Sequence, residues 1–349
     1  MKICIITSTL SIEKGTGIVR YTNELLKGLS NKRISVKLIQ PKISISDPIN
    51  HTFILPFCVI MGRGEYELLH AIAPIDAQCF PFIRKKAKVI TYHDLTSLLC
   101  KESGSRFYVK ATARLFLKVG KFCDRIIAVS SQTKEELVTY LGFPEEKISV
   151  VNLGVDERFK PLNRKKDKED YIIGYLGDLN RRKRIDYLTR AFKHLKTIYP
   201  EPKAKLHIYG RGSDFQRLKS IVDSLKLSDC VEFKGFVPDE NLVEVYNSFD
   251  VFVLPSEWEG FGIPILEAQK CGVPVIIRED AHIPPEVTRC CVKAKSEGDM
   301  ADKIYEILTN SSLRDDIIKK GLEYSRQFTW EKTVSETIKV YEEILKIEE

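Results

Sequence analysis

The chain has 349 residues, 43% apolar and 30% charged, which is an ordinary folded composition and longer than one hydrophobic core usually supports. Two domains of roughly 150 to 200 residues are expected, and no low-complexity tract or solenoid-period repeat argues otherwise. The net charge of +7 is uneven: residues 1–160 hold 24 Lys and Arg against 15 Asp and Glu, or +9, and the remainder carries −2, an asymmetry that suits an anionic partner such as nucleic acid, a membrane surface or a phosphorylated substrate.

The opening Met1-Lys2-Ile3-Cys4-Ile5-Ile6-Thr7 is too short for a signal-peptide core and reads as a first buried strand. The longest apolar run, Phe53 to Met61, carries Pro56 and falls short of the about 20 residues a spanning helix needs. No membrane crossing is expected, and a cytoplasmic protein fits best. The nine cysteines contain no Cys-x-x-Cys pair, so buried thiols are expected rather than a zinc or redox site.

In the first half, short β-rich runs alternate with longer segments of helical period: Lys2–Thr7, Ile18–Leu29, Val36–Ile39, Val89–Tyr92, Arg125–Val129 and Gln132–Leu141. Such alternation predicts β-α-β units and a parallel sheet. The charged stretch 161–170 reads as a linker between a first domain, 1–160, and a second, 171–328. The second half restarts with strands Tyr171–Leu176, Lys205–Tyr209, Val231–Lys234, Val251–Leu254 and Val273–Ile277. Between them lie helices Ile185–Ile198, Phe215–Leu225, Glu240–Asn247 and Ile263–Lys270. The tail 329–349 is an amphipathic helix with Thr329 as its N-cap, expected to pack back toward the first domain. The fold class expected is α/β, with two Rossmann-like doubly wound domains facing across a cleft.

The strand Val251–Leu254 ends in Pro255-Ser256-Glu257-Trp258-Glu259-Gly260-Phe261-Gly262 and enters a helix at Ile263-Pro264 carrying Glu267. Ligands of α/β sheets bind where strands end and helices begin. Gly260 and Gly262 allow close backbone approach, the N–H groups opening the helix suit phosphate, and Glu267 could accept hydrogen bonds from vicinal ribose hydroxyls. A plain turn with a solvated carboxylate is the alternative. The longer stretch 254–275 resembles the signature of glycosyltransferase family 4, retaining enzymes of GT-B fold. That resemblance implies that Glu259 contacts donor-sugar hydroxyls, that Glu267 binds the nucleotide ribose, and that Gly260, Phe261, Gly262 and Ile263 line the donor.

Further segments resemble the same family in the same order. Gly15-Thr16-Gly17-Ile18-Val19-Arg20-Tyr21 is similar to its first glycine loop, which implies Gly17 at the donor and Gly15 and Arg20 on the acceptor side; it lacks the third glycine of a dinucleotide fingerprint. Thr91-Tyr92-His93-Asp94 resembles a strand-end His-Asp whose histidine lies near the donor sugar. Gly177-Asp178-Leu179-Asn180-Arg181-Arg182-Lys183 resembles a motif whose Lys, here Lys183, holds the diphosphate. Asp178 departs from the usual Arg, so Arg182 is the expected second cation. Gly210 and Val237 would line the base side. The implied catalytic set is Glu259, His93 and Lys183.

No two aspartates stand two residues apart, so the metal-holding Asp-x-Asp of many GT-A transferases is absent. No metal or cofactor is expected, only a donor nucleotide sugar: GDP-mannose from the mannosyltransferase-like motifs, with a UDP-sugar as the alternative. The reaction expected is retaining transfer of a hexose to an acceptor hydroxyl of a surface or lipid-linked glycan. A GT-B nucleotide-sugar epimerase and an inactive sugar-nucleotide-binding scaffold are the rival readings. Arg106, Lys110, Arg114, Lys118, Lys121 and Arg125 recur at three- and four-residue spacing, one cationic stripe if helical. A solvated face and a peripheral dock on the anionic inner face of the membrane stand about equal. Nucleic acid is not expected, since no stacking platform accompanies the stripe.

Overall fold

The computed structural model describes residues 1–8, 17–40, 66–84, 86–100, 114, 116–162 and 170–347. The chain divides into two compact units, Met1–Gly154 with Phe328–Glu349, and Val155–Gln327. Gly15, Arg106 and Lys110 lie outside the described residues, as does most of the expected linker.

The first unit holds a six-stranded parallel sheet: β1 (Lys2–Ile6), β2 (Ser35–Ile39), β3 (Leu68–Ala71), β4 (Ala87–Tyr92), β5 (Arg125–Ala128) and β6 (Ile148–Val150), in the order β2-β1-β3-β4-β5-β6. Its central strands are buried on both faces, as β3 (Leu-Leu-His-Ala) illustrates, because helices cover both sides of such a sheet. Helix Gly17–Asn31 turns Val19, Tyr21, Thr22, Leu25 and Leu29 inward at helical spacing.

Helix Trp330–Ile347 packs on helix Gly17–Asn31 and against β4 and β5. Gly28 makes that approach feasible, because a Cβ there would stand 2.4 Å from Val334 Cγ2. Thr329 Oγ1 accepts from the Lys332 amide at 3.2 Å and caps the helix, and the Thr333 hydroxyl donates to the Asn152 carbonyl at 2.8 Å.

The second unit repeats the plan: β7 (Tyr171–Leu176), β8 (Ala204–Tyr209), β9 (Val231–Gly235), β10 (Val251–Leu254), β11 (Val275–Arg278) and β12 (Val292–Ala294), in the order β12-β11-β10-β7-β8-β9, all parallel. The chain runs outward from β7 to β9, then returns to the other side of β7 to place β10. Helices Ile185–Ile198, Phe215–Ser224, Leu242–Ser248, Ile263–Lys270, Glu297–Thr309 and Ser311–Ser325 complete the unit.

Two expectations need correction. The helical segment 132–141 is a short α-helix, Ser131–Glu136, continued by a π turn, Leu137–Leu141, and stopped by Gly142 at φ 68°. The cationic stripe is not one helix: Lys118–Phe122 is a 3-10 turn, and Arg125 begins β5. Pairing of Val89 with Arg125 commits that residue to the sheet, where its guanidinium lies 3.8 Å from Glu343 and donates to the Glu146 carbonyl. Arg114 and Lys121 are exposed, while Lys118 is half-buried. No helix among the described residues is long and apolar enough to cross a membrane.

Candidate functional site

In a doubly wound sheet the point where strand order reverses leaves a crevice at the carboxyl ends of the two strands flanking it. In the second unit those strands are β7 and β10. The turn Arg181–Lys183 follows β7, and the segment 255–262 follows β10. Lys183 Nζ lies 2.6 Å from Glu259 Oε1, and Arg182 Nη1 lies 3.5 Å from Glu259 Oε2. Burial alone would raise the Glu259 carboxyl, but the charges of Lys183 and Arg182 outweigh it and hold the group below the ordinary carboxylate value. Glu259 is therefore an anion at neutral pH, clamped by two cations, and the trio carries one net positive charge.

The backbone around Glu259 is fixed from both flanks. On the β7 side, the Glu257 amide donates to the Arg182 carbonyl at 2.9 Å, and the Arg182 guanidinium donates to the Trp258 carbonyl. On the β11 side, the Glu259 amide donates to the His282 carbonyl at 3.0 Å and the His282 amide to the Glu257 carbonyl at 2.8 Å. The Trp258 and His282 rings pack at 3.8 Å between centroids. Segments beyond β7, β10 and β11 thus continue the sheet's own neighbour order past its end.

Gly262, at φ 99°, opens helix Ile263–Lys270, a left-handed position that a side chain rarely occupies. Phe261 and Ile263 are buried beside it, and Gly260 is half-buried. One turn on, Glu267 is buried and accepts a 2.7 Å hydrogen bond from the Tyr246 hydroxyl. Gly210 sits where a Cβ would meet the Gly177 carbonyl oxygen at 1.8 Å, and its amide donates to the Gly235 carbonyl at 2.7 Å. These contacts bring the loops after β7 and β8 together with the end of β9. Val237 follows Phe236, whose exposed ring lies 4.2 Å beneath the Arg211 guanidinium. Sequence reasoning singled out Arg182, Lys183, Gly210, Val237 and the 259–267 group, and all lie at this end of the second sheet. It did not single out Tyr246, Trp258 or His282, whose contacts span 21 or more residues.

In the first unit, His93 follows β4 and is partly buried. Its Nε2 lies 3.0 Å from the Ile72 carbonyl. A carbonyl only accepts, so Nε2 carries the hydrogen and Nδ1 is the acceptor nitrogen. Burial drives the His93 pKa down to about 4 against the opposing pull of Asp94 and Ile72, so the ring is neutral. Tyr21 meets it edge-on at 5.1 Å. The Tyr21 hydroxyl and Thr91 Oγ1 are 3.2 Å apart, His70 Nε2 lies 2.8 Å from the same Thr91 oxygen, and His70 Nδ1 lies 2.6 Å from the Tyr341 hydroxyl. A buried polar chain therefore runs from the C-terminal helix to the aromatic neighbour of His93. Gly17 begins helix Gly17–Asn31 with none of the described residues within 4 Å of its Cβ position, and Arg20 is half-buried one turn along.

Residues 15–159 match the family described as Glycosyltransferase Family 4, and residues 156–324 match Glycosyl transferases group 1. O-antigen chain mannosyltransferase B of Escherichia coli is 27% identical over 93% of this chain and 96% of its own. D-inositol 3-phosphate glycosyltransferase of Corynebacterium jeikeium is 28% identical over 63% of this chain and 58% of its own. Among solved structures, the fold is similar to sucrose-phosphate synthase of Thermosynechococcus elongatus (TM-score 0.82, 19% identity, 99% of this chain and 100% of that one). It is also similar to Anabaena HepE solved with UDP and glucose (TM-score 0.77, 17% identity, 98% and 100%). With both halves matched in order and the two parallel sheets in place, the chain belongs to the group 1 glycosyltransferases of family 4 and is a glycosyltransferase of GT-B fold.

Proposed function

We propose that the chain transfers a hexose, mannose by preference, from a nucleotide diphosphate sugar to an acceptor hydroxyl of a surface or lipid-linked glycan, with retained anomeric configuration and without a metal. The observation that carries this reading is the Glu259–Lys183–Arg182 cluster at the strand-order switch of the second sheet. Lys183 and Arg182 stabilise the diphosphate as it departs, and Glu259 holds sugar hydroxyls as the ring becomes cationic. The bond from the anomeric carbon to the leaving phosphate oxygen breaks, the acceptor oxygen bonds to that carbon on the same face, and its proton passes to the departing phosphate. Glu267 takes the ribose hydroxyls, Gly210 and Val237 line the base, and Gly260, Phe261, Gly262 and Ile263 bring backbone toward the phosphates.

For the first unit the reading assigns neutral His93, through its acceptor nitrogen, to a hydroxyl of the donor sugar. Gly17 takes the donor backbone contact, and Gly15 and Arg20 serve the acceptor. GDP-mannose is the favoured donor, in keeping with the mannosyltransferase relative; the UDP in the HepE structure keeps a UDP-sugar as the alternative. The excess of Lys and Arg in residues 1–160 supports work at the anionic cytoplasmic face of a membrane.

The test is transfer and donor hydrolysis measured with a panel of GDP- and UDP-sugars, with and without EDTA. Turnover of one sugar nucleotide unaffected by EDTA is expected. A changed nucleotide sugar formed with no acceptor would instead identify an epimerase, and no turnover of any donor a binding scaffold.

A further inference from the structure

We propose that Tyr246 is a positioning residue for recognition of the nucleotide's ribose: its hydroxyl sets the plane of the Glu267 carboxylate that receives the two vicinal ribose hydroxyls. The inference rests on the assignment of Glu267 to the ribose made above. Tyr246 belongs to helix Leu242–Ser248, which precedes β10, and Glu267 to helix Ile263–Lys270, which follows it. The hydroxyl donates to Oε2 at 2.7 Å, and the two residues are 0% and 2% exposed.

A glutamate carboxyl rotates almost freely about its last torsion unless something pins it. Here the Tyr246 hydroxyl is one such pin, and it is itself held. The Tyr246 ring packs edge-on against Phe159, Phe249 and Phe252, with centroids 5.9, 6.2 and 5.5 Å away, so the hydroxyl cannot follow a rotating carboxylate. Two adjacent hydroxyls need an acceptor pair of fixed orientation, and a charge-assisted bond from one rigid side supplies it. Tyr246 touches no substrate atom in this role; it acts through Glu267.

The experiment is calorimetric binding of GDP and UDP, and of their 2′,3′-dideoxy counterparts, to the wild type, Tyr246→Phe and Glu267→Ala. Tyr246→Phe removes one oxygen and keeps the ring packing. It should weaken ribonucleotide binding by about tenfold, as expected for loss of a bond to a charged group, and leave dideoxynucleotide binding unchanged. In turnover, KM for the donor should rise with kcat little altered. The ribo-to-dideoxy ratio is read within one preparation, so a change in stability does not mimic it. Equal losses on both ligands would make Tyr246 a packing residue only, and no loss on either would remove its role. If Glu267→Ala weakens ribonucleotide binding and spares dideoxynucleotide binding while Tyr246→Phe leaves both as in the wild type, this inference alone fails. If Glu267→Ala binds both like wild type, the ribose assignment and the inference fall together.

Discussion

Lys183 Nζ stands 2.6 Å from Glu259 Oε1, and both residues are 8% exposed, at the one place where the second sheet reverses its strand order. A buried ion pair gains little over an apolar pair, yet removing one partner strands a charge. Glu259→Gln leaves Lys183 and Arg182 without their carboxylate and should lower stability by up to about 3–5 kcal/mol; Lys183→Met leaves Glu259 paired with Arg182 at 3.5 Å and should cost less, and the double variant should recover part of the loss. Thermal unfolding of the four proteins measures that coupling. Transfer activity should fall by about a hundredfold or more in each single variant if these groups meet the developing charges. Wild-type turnover by Glu259→Gln would remove its catalytic assignment. Because the Glu259 carboxyl titrates below its ordinary value, its contribution is fully present above that value and is lost as pH falls further.

Much of this unit was legible in the sequence. Residues Tyr171–Leu176, Val251–Leu254, Ile185–Ile198 and Ile263–Lys270 form the elements that their apolar period marks, with the same ends. The short strand β12 was not legible, since Val292-Lys293-Ala294 carries almost no pattern and its pairing with β11 supplies the reason it is extended. Strand order is equally absent from local periodicity, so the meeting of a residue after β7 with one after β10 followed from the family resemblance. Tyr246 escaped notice for the same reason: a tyrosine on an apolar helix face looks like core until its hydroxyl is seen to reach Glu267.

The two glycine-rich places predict opposite outcomes. Alanine at Gly210 would bring a Cβ within 1.8 Å of a backbone oxygen at a φ of 134°, and backbone cannot yield as a side chain can. Gly210→Ala should cost more than about 3 kcal/mol and lower the melting temperature by several degrees. Among the described residues, Gly17 has nothing within 4 Å of its Cβ position. Gly17→Ala should leave the melting temperature within a degree of wild type, so a drop in its donor turnover would report a ligand contact and not damage to the fold. Unchanged turnover would remove Gly17 from the donor side.

Arg184 follows Lys183 directly and adopts φ 48°, ψ 40°, a left-handed conformation costly for a residue with a Cβ. Arg184→Gly should therefore stabilise the protein by about 0.5–1 kcal/mol, as glycine does at such positions. The lost partner is minor, since Asp186 keeps Arg190 at 3.2 Å and Arg217 at 3.7 Å. Arg184→Val should do the opposite. Differential scanning calorimetry decides between them, and a destabilised glycine variant would show that the Arg184–Asp186 contact at 3.4 Å outweighs the backbone term.

His70 ties the C-terminal helix to the first sheet, and its titration sets an acid limit for that attachment. Burial lowers its pKa from 6.5 to about 3, with His93 adding to the same direction. The fold thus favours the neutral ring: the stabilisation is complete above about pH 6.5 and is lost as pH falls toward 3, by up to about 1.4 kcal/mol per pH unit. Tyr341→Phe deletes the 2.6 Å partner of His70 Nδ1 and leaves a buried nitrogen unsatisfied, which should cost about 1–3 kcal/mol. Hydrogen exchange of amides in Trp330–Ile347 reads the result locally. Faster exchange is expected in Tyr341→Phe at pH 7, and in the wild type opening should grow more favourable as pH is lowered from 6.5 to 4, after correction for intrinsic exchange. Protection of that helix unchanged by the substitution would show that its packing on helix Gly17–Asn31, rather than the polar chain through His70 and Thr91, holds it in place.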